Sequence, residues 1–213
     1  MKKKFGKWQM TSLILLVCLL GSLYFNFKWL PYKEVQQQSY SAMLDQSFNY
    51  WLETSLTETD LVIESVRDRS SDALILHQLG SLSGALKSSE TTFRSLNLLF
   101  EKQGASTYLM YNVMADYYNF IQKDIADQVL NRILDENQGR NEIIRNLEIM
   151  RVDLAELHQQ FKASELSESK PSHLQQEWKE AVQKIVLRND QLDLYDRMKD
   201  KYGFDADTDN DVS

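Results

Sequence analysis

The residues most suggestive of chemistry stand near the C-terminus, where Asp205, Asp207 and Asp209 alternate with small residues ahead of Asn210 and Asp211. Carboxylates at the first, third and fifth positions are how a calcium loop begins, because a hard cation needs converging oxygens. The sixth position here is Asn210 rather than the glycine of the sharp turn, and no glutamate stands at the twelfth. A solvated acidic tail over 204–213 is therefore the expectation.

His77, His158 and His173 offer no His-Glu-x-x-His or Glu-x-x-His arrangement, the spacings that put metal ligands on one helical face. His77 lies among apolar residues, as a hydrogen-bonded structural histidine would, and His158 falls just off an apolar seam, facing solvent. Cys18 is the only cysteine and sits in an apolar run, where it reads as a small apolar residue. The residues Leu15-Leu16-Val17 before it lack the small residue that precedes a lipid-modified cysteine. There is no Gly-x-Ser-x-Gly elbow and no glycine-rich phosphate loop. Asp153 and Glu156, three apart on a helix, read as ordinary solvation of an exposed face. No catalytic, cofactor or metal residue is assigned, and the chain is not expected to be an enzyme.

Tyr108, Tyr111, Tyr117 and Tyr118 lie within eleven residues, interleaved with Met110 and Met114. At about 100° per residue, Tyr111 and Tyr118 share a face with Met114, whereas Tyr108 and Tyr117 point elsewhere. Aromatics thus ring more of this helix than a core stripe requires. Tyrosine offers apolar area and a polar tip with little entropy to lose, so these four are the candidate interaction surface. The alternative is a central helix buried on several sides. Gly80 and Gly84 form a small-xxx-small pair, which reads as a close packing point or a bend.

These groups are positioned by helices. Tyr40, Leu44, Phe48, Trp51 and Leu52 repeat at helical spacing over roughly 33–56. Thr57 with Asp60 resembles a capping box, placing the start of a second helix near 58 and carrying it through Leu61, Val66 and Leu76 towards Leu82. Residues 80–92, rich in Ser, Gly and Thr, read as a bend or a loop. A short stretch from Thr91 carries Phe93, Leu96 and Phe100 to a stop at Gly104. Ser106 or Thr107 then caps a long helix near 107–137, ended by Gly139. Ile143, Leu147, Met150, Leu154, Leu157 and Phe161 keep an unbroken 4-3-4-3-4 seam. After a polar linker, Ala163 to Pro171, Ser172 caps a last helix with seam residues Leu174, Trp178, Ala181, Ile185, Leu192 and Tyr195. Arg188 and Lys199 interrupt that seam, and Lys201 with Gly203 forms the stop. No stretch shows sustained period-two alternation, so the fold class is all-α: an elongated antiparallel bundle of four to six helices, with a coiled-coil-like hairpin at 140–202.

The chain has 213 residues, 43% hydrophobic and 26% charged, with 2 Pro and 7 Gly. Residues 1–33 hold six lysines and no acid. Once those six are set aside from the 24 basic side chains, 18 face 31 acids over the remaining 180 residues. So acidic a body is a poor partner for nucleic acid, which rewards clustered Lys and Arg. Trp8 to Phe27 is an uncharged run, long enough at about 1.5 Å per residue to match a hydrocarbon core of about 30 Å. Trp8, Trp29 and Tyr32 lie at its ends as interface-seeking aromatics would. An Ala-x-Ala-like cleavage site fits poorly around Gly21 and Ser22, so an uncleaved signal-anchor is preferred to a cleaved signal peptide.

The expected organisation is a basic cytoplasmic segment (1–7), a transmembrane helix (8–30), an extracytoplasmic bundle (31–203) and the acidic tail. Four lysines before the run against two after it put the N-terminus in the cytoplasm. The absence of any Asn-x-Ser/Thr acceptor fits a bacterial envelope. The expected function is that of an interaction or accessory subunit, contacting the lipid bilayer through 8–30 and either another membrane or envelope protein or a second copy of itself. No cofactor and no nucleic acid is expected. An anchored bundle of this kind also resembles, in architecture, the sensor domains of bacterial receptors. The alternative is therefore a sensory or small-ligand-binding bundle with a pocket near Tyr111 and Tyr118 that relays to a membrane partner.

Overall fold

The computed structural model describes residues 7–131, 137–161, 169–189 and 191–204, without the side chains of 7, 9, 13 and 26–37. The acidic tail beyond Phe204 and linker residues 163–168 lie outside the described residues. All regular elements among the described residues are helices: α1 (Lys7–Leu44), a π-helical segment π1 (Asp45–Trp51), α2 (Leu52–Arg67), α3 (Asp72–Glu101), α4 (Tyr108–Asn119), a second π segment π2 (Phe120–Ile125), α5 (Ala126–Leu130), α6 (Asn137–Gln160), α7 (Pro171–Arg188) and α8 (Asp193–Tyr202). The chain divides into two units, Met1–Ser41 and Ala42–Ser213.

In the first unit, α1 exposes apolar side chains on every side. Ile14, Leu15, Leu16 and Val17 point in four directions about 100° apart, and each is more than half exposed. Among the described residues no helix is long and apolar enough to cross a membrane.

In the second unit the direction of the helices can be read from their side-chain pairings. Asn97 meets Ser106 and Thr107, Arg94 meets Tyr111, and Ser83 meets Gln122, so α3 runs antiparallel to α4 and π2. Asp60 pairs with Arg151, and the Val66 carbonyl accepts from Arg140 at 2.6 Å, which sets α6 antiparallel to α2. Lys184 and Arg188 of α7 both reach Glu156 of α6, and Arg188 also reaches Asp153. The closest packing of α6 is against α2, and a turn at 189–192 separates α7 from α8. The stretch 140–202 is thus not a simple two-helix hairpin.

The predicted seam is the core of this unit: Ile143, Leu147, Met150, Leu154, Leu157 and Phe161 are all fully buried, as are Leu174 and Trp178. Phe48, Phe93, Phe161 and Trp178 close on one another from π1, α3, the end of α6 and α7, with ring centroids 5.0 to 5.6 Å apart. Such aromatic pairs add about 0.5–1.5 kcal/mol each beyond the area they bury.

Several element boundaries differ from expectation, each for a local reason. Thr57 does not begin a helix; it lies inside α2 and its hydroxyl donates to the Glu53 carbonyl. The break comes later, at Asp68–Ser71, where Arg69 takes a left-handed φ of 57° and the Ser71 hydroxyl accepts from the Leu74 N–H. Residues 80–92 are neither bend nor loop but the middle of α3. Gly80 and Gly84 face outward, with open space where a Cβ would stand, so they are no packing point within this unit. Gly139 lies buried in the first turn of α6 rather than ending a helix. Lys170, not Ser172, is the N-cap of α7, because Pro171 supplies the preset φ of the first helical position. The C-terminal stop is as expected: Gly203, at φ 66°, closes α8. His77 is exposed on α3 rather than buried among its apolar neighbours.

Candidate functional site

The start of α4 is fixed against α3 by a short hydrogen-bond chain. The Thr107 hydroxyl donates to the Phe93 carbonyl at 2.6 Å, Asn97 Oδ1 accepts from the Thr107 N–H at 2.9 Å, and the Ser106 hydroxyl accepts from the Tyr108 N–H at 3.1 Å. This register brings Tyr111 beneath the Arg94 guanidinium, 4.5 Å from its central carbon, and Tyr118 near Lys87, 5.6 Å from its Nζ. Both cations are held by one buried carboxylate, Glu90, bonded to Arg94 at 2.8 Å and to Lys87. Burial pushes the Glu90 carboxyl up, but the two cations outweigh it and hold it below the ordinary glutamate range. Tyr108 is 57% exposed and meets Tyr111 edge to face at 5.4 Å. Tyr108, Tyr111 and Tyr118, with Arg94 and Lys87, form an amphipathic patch whose cations are tied from beneath.

Tyr117 does not belong to that patch. It is fully buried, because the α4 face carrying Met110, Val113 and Met114 turns inward and Tyr117 continues it. Its hydroxyl is bonded to that of Tyr195, which in turn donates to Asp153. Asp153 is fully buried, not solvated on an outer face, and also accepts from Arg188 at 2.8 Å and from Asn189 at 3.1 Å. Burial pushes Asp153 above the ordinary aspartate range against the pull of Tyr195, Arg188 and Asn189. Burial, together with the negative charge of Asp153, pushes both tyrosine hydroxyls far above their usual value. Two neutral phenols and a carboxylate satisfied on both oxygens supply no poised base or nucleophile. Their chemistry is that of a buried polar latch between α4, α6, α7 and α8.

A second tie runs along the outside of α4 and α8. Asp116 accepts from Lys201 at 2.8 Å and from the Tyr202 hydroxyl, and Asp124 accepts from Arg197 at 2.7 Å. Two grooves, of about 370 and 340 Å³, flank π2 and α8; neither is lined by Tyr111 or Tyr118. Among the described residues no three His, Cys, Asp or Glu side chains converge to hold a metal ion.

Comparison with known proteins supplies no relative. No protein-family model, curated protein or solved structure matches the chain.

The Asp153 latch and the Glu90 hub are the polar sites that sequence reasoning missed. A signal for the first was present: Gly139, Asn146 and Asp153 recur every seven residues beside the apolar seam, and all three are buried.

Proposed function

We propose that this chain is a single-pass membrane protein whose helical bundle docks on another envelope component and performs no catalytic chemistry. The observation that carries the anchor is α1, where Ile14 to Val17 present apolar surface in every direction with nothing in the chain covering them. Leaving such side chains in water costs about 1.5–3 kcal/mol each, and a helix apolar all round belongs in a core or in lipid. With lysines massed before the run, the bundle lies outside the cytoplasm. The docking surface is the patch of Tyr108, Tyr111 and Tyr118 with Arg94 and Lys87, which combines the residue types favoured at interface centres.

A photo-crosslinking residue at Tyr108 of the full-length protein, compared in cells with one at the equally exposed but distant-in-sequence Leu130, tests the reading. Capture of one membrane protein from position 108 alone, lost when residues 1–33 are replaced by a cleavable signal, is the expected outcome. No adduct at 108, or the same adducts from both positions, contradicts it. The second reading, a small-ligand-binding bundle, is favoured by a separate observation: the smaller polar groove beside π2.

A further inference from the structure

The smaller groove, about 340 Å³, lies between π2 and α5, the first half of α6 and the turn that leads into α8. Its volume is that of a small-molecule site, and π segments recur at functional positions. Asn146 lines it. This side chain is 5% exposed, and its Oδ1 has no hydrogen-bond partner among the described residues. A buried carbonyl left without a donor costs about 1–3 kcal/mol and calls for a reason. A ligand N–H or O–H supplies one.

The charges around the groove define the ligand further. Asp124 is already matched by Arg197. Asp127, Glu142 and Asp193 have no ion-pair partner among the described residues, and neither do Lys123 and Arg145 on the same rim. The acids are spread around the rim rather than convergent on a point, so they suit an organic ammonium better than a metal ion. A polycation would meet Lys123 and Arg145, and a simple anion would meet three carboxylates. One small molecule carrying both an ammonium and a carboxylate satisfies both sets of groups.

We propose that this groove binds a small zwitterion, a free amino acid or a short peptide. Its ammonium faces the acids and Asn146 Oδ1, and its carboxylate faces Arg145 and Lys123. The site is independent of the docking patch and of the anchor.

The test is the thermal unfolding midpoint of the full chain in detergent micelles, with each of the twenty common L-amino acids and with triglycine. The expected result is a raised midpoint with at least one of them, and no shift with its N-acetyl or methyl ester derivative, each of which lacks one charge. Glu142→Gln and Arg145→Gln, both on the exposed rim, keep the unliganded midpoint and weaken binding about tenfold or more, as loss of a charge-assisted hydrogen bond does. Asn146→Leu removes the unpartnered oxygen, so its unliganded midpoint holds or rises while the ligand-dependent shift disappears. A response to amino acids or to triglycine alone separates the two sources. The proposal is overturned by no shift with any compound, by shifts that survive acetylation or esterification, or by shifts that persist in all three variants.

Discussion

Asp153 shows how much a single position can hide. Its spacing from Glu156 is that of an ordinary solvated pair, yet one side chain of α7, Arg188, bridges both carboxylates. Arg188 looked like a defect in its seam for the same reason: its partner lies on another helix, and pairing across helices leaves no trace in local periodicity. Asp153→Ala is expected to destabilise the bundle by about 3 kcal/mol, the cost of breaking a buried ion pair from one side, read by urea unfolding. The pH dependence follows from opposite shifts. Lys184 and Arg188 hold the Glu156 carboxyl below its ordinary value of 4.5, so Glu156 stabilises the fold above that value and its contribution is lost as pH falls through the lowered one. Asp153 runs the other way: its folded value is raised, so its ionisation opposes folding, and acid relieves the opposition. Urea midpoints measured from neutral pH downward should therefore fall less steeply in Glu156→Gln and more steeply in Asp153→Asn than in the parent.

At the scale of elements, what was legible depended on whether the information was local. The 4-3-4-3-4 seam of α6 could be read without error because burial against several neighbours repeats the same requirement along the helix. The π segments were also written in the sequence, as runs of unbroken fours: Leu44, Phe48 and Leu52 for π1, and Tyr117, Ile121, Ile125 and Val129 for π2. Steps of four drift about 40° per step around an α-helix, and a wider turn takes that drift back. The α3 helix was misread because Ser, Gly and Thr at 80–92 have weak intrinsic propensity, which packing of Leu82, Ala85, Leu86 and Phe93 overrides. Since a Cβ at Gly80 or Gly84 meets nothing, Gly80→Ala and Gly84→Ala should each stabilise the bundle by about 0.5–1 kcal/mol in chemical denaturation. Destabilisation by either would show that this outer face is covered after all.

For the molecule as a whole, the bundle and α1 answer different solvents. The bundle encloses its aromatic residues, and Trp178→Ala, which opens the Phe48–Phe93–Phe161 cluster, should cost about 3–5 kcal/mol in the same denaturation assay. That is a large share of the stability of an ordinary domain, about 5–15 kcal/mol. In α1 the apolar side chains turn outward instead, which is the basis for placing residues 8–30 in a bilayer and the acidic body outside the cytoplasm. The most direct test uses the fact that Cys18 is the only cysteine. In a Cys18→Ser background carrying Ser172→Cys on the exposed side of α7, a membrane-impermeant maleimide should label the protein in intact cells, and the labelled protein should stay with the membranes through a carbonate wash. Labelling only after permeabilisation, or release by carbonate, would contradict the anchored, extracytoplasmic account.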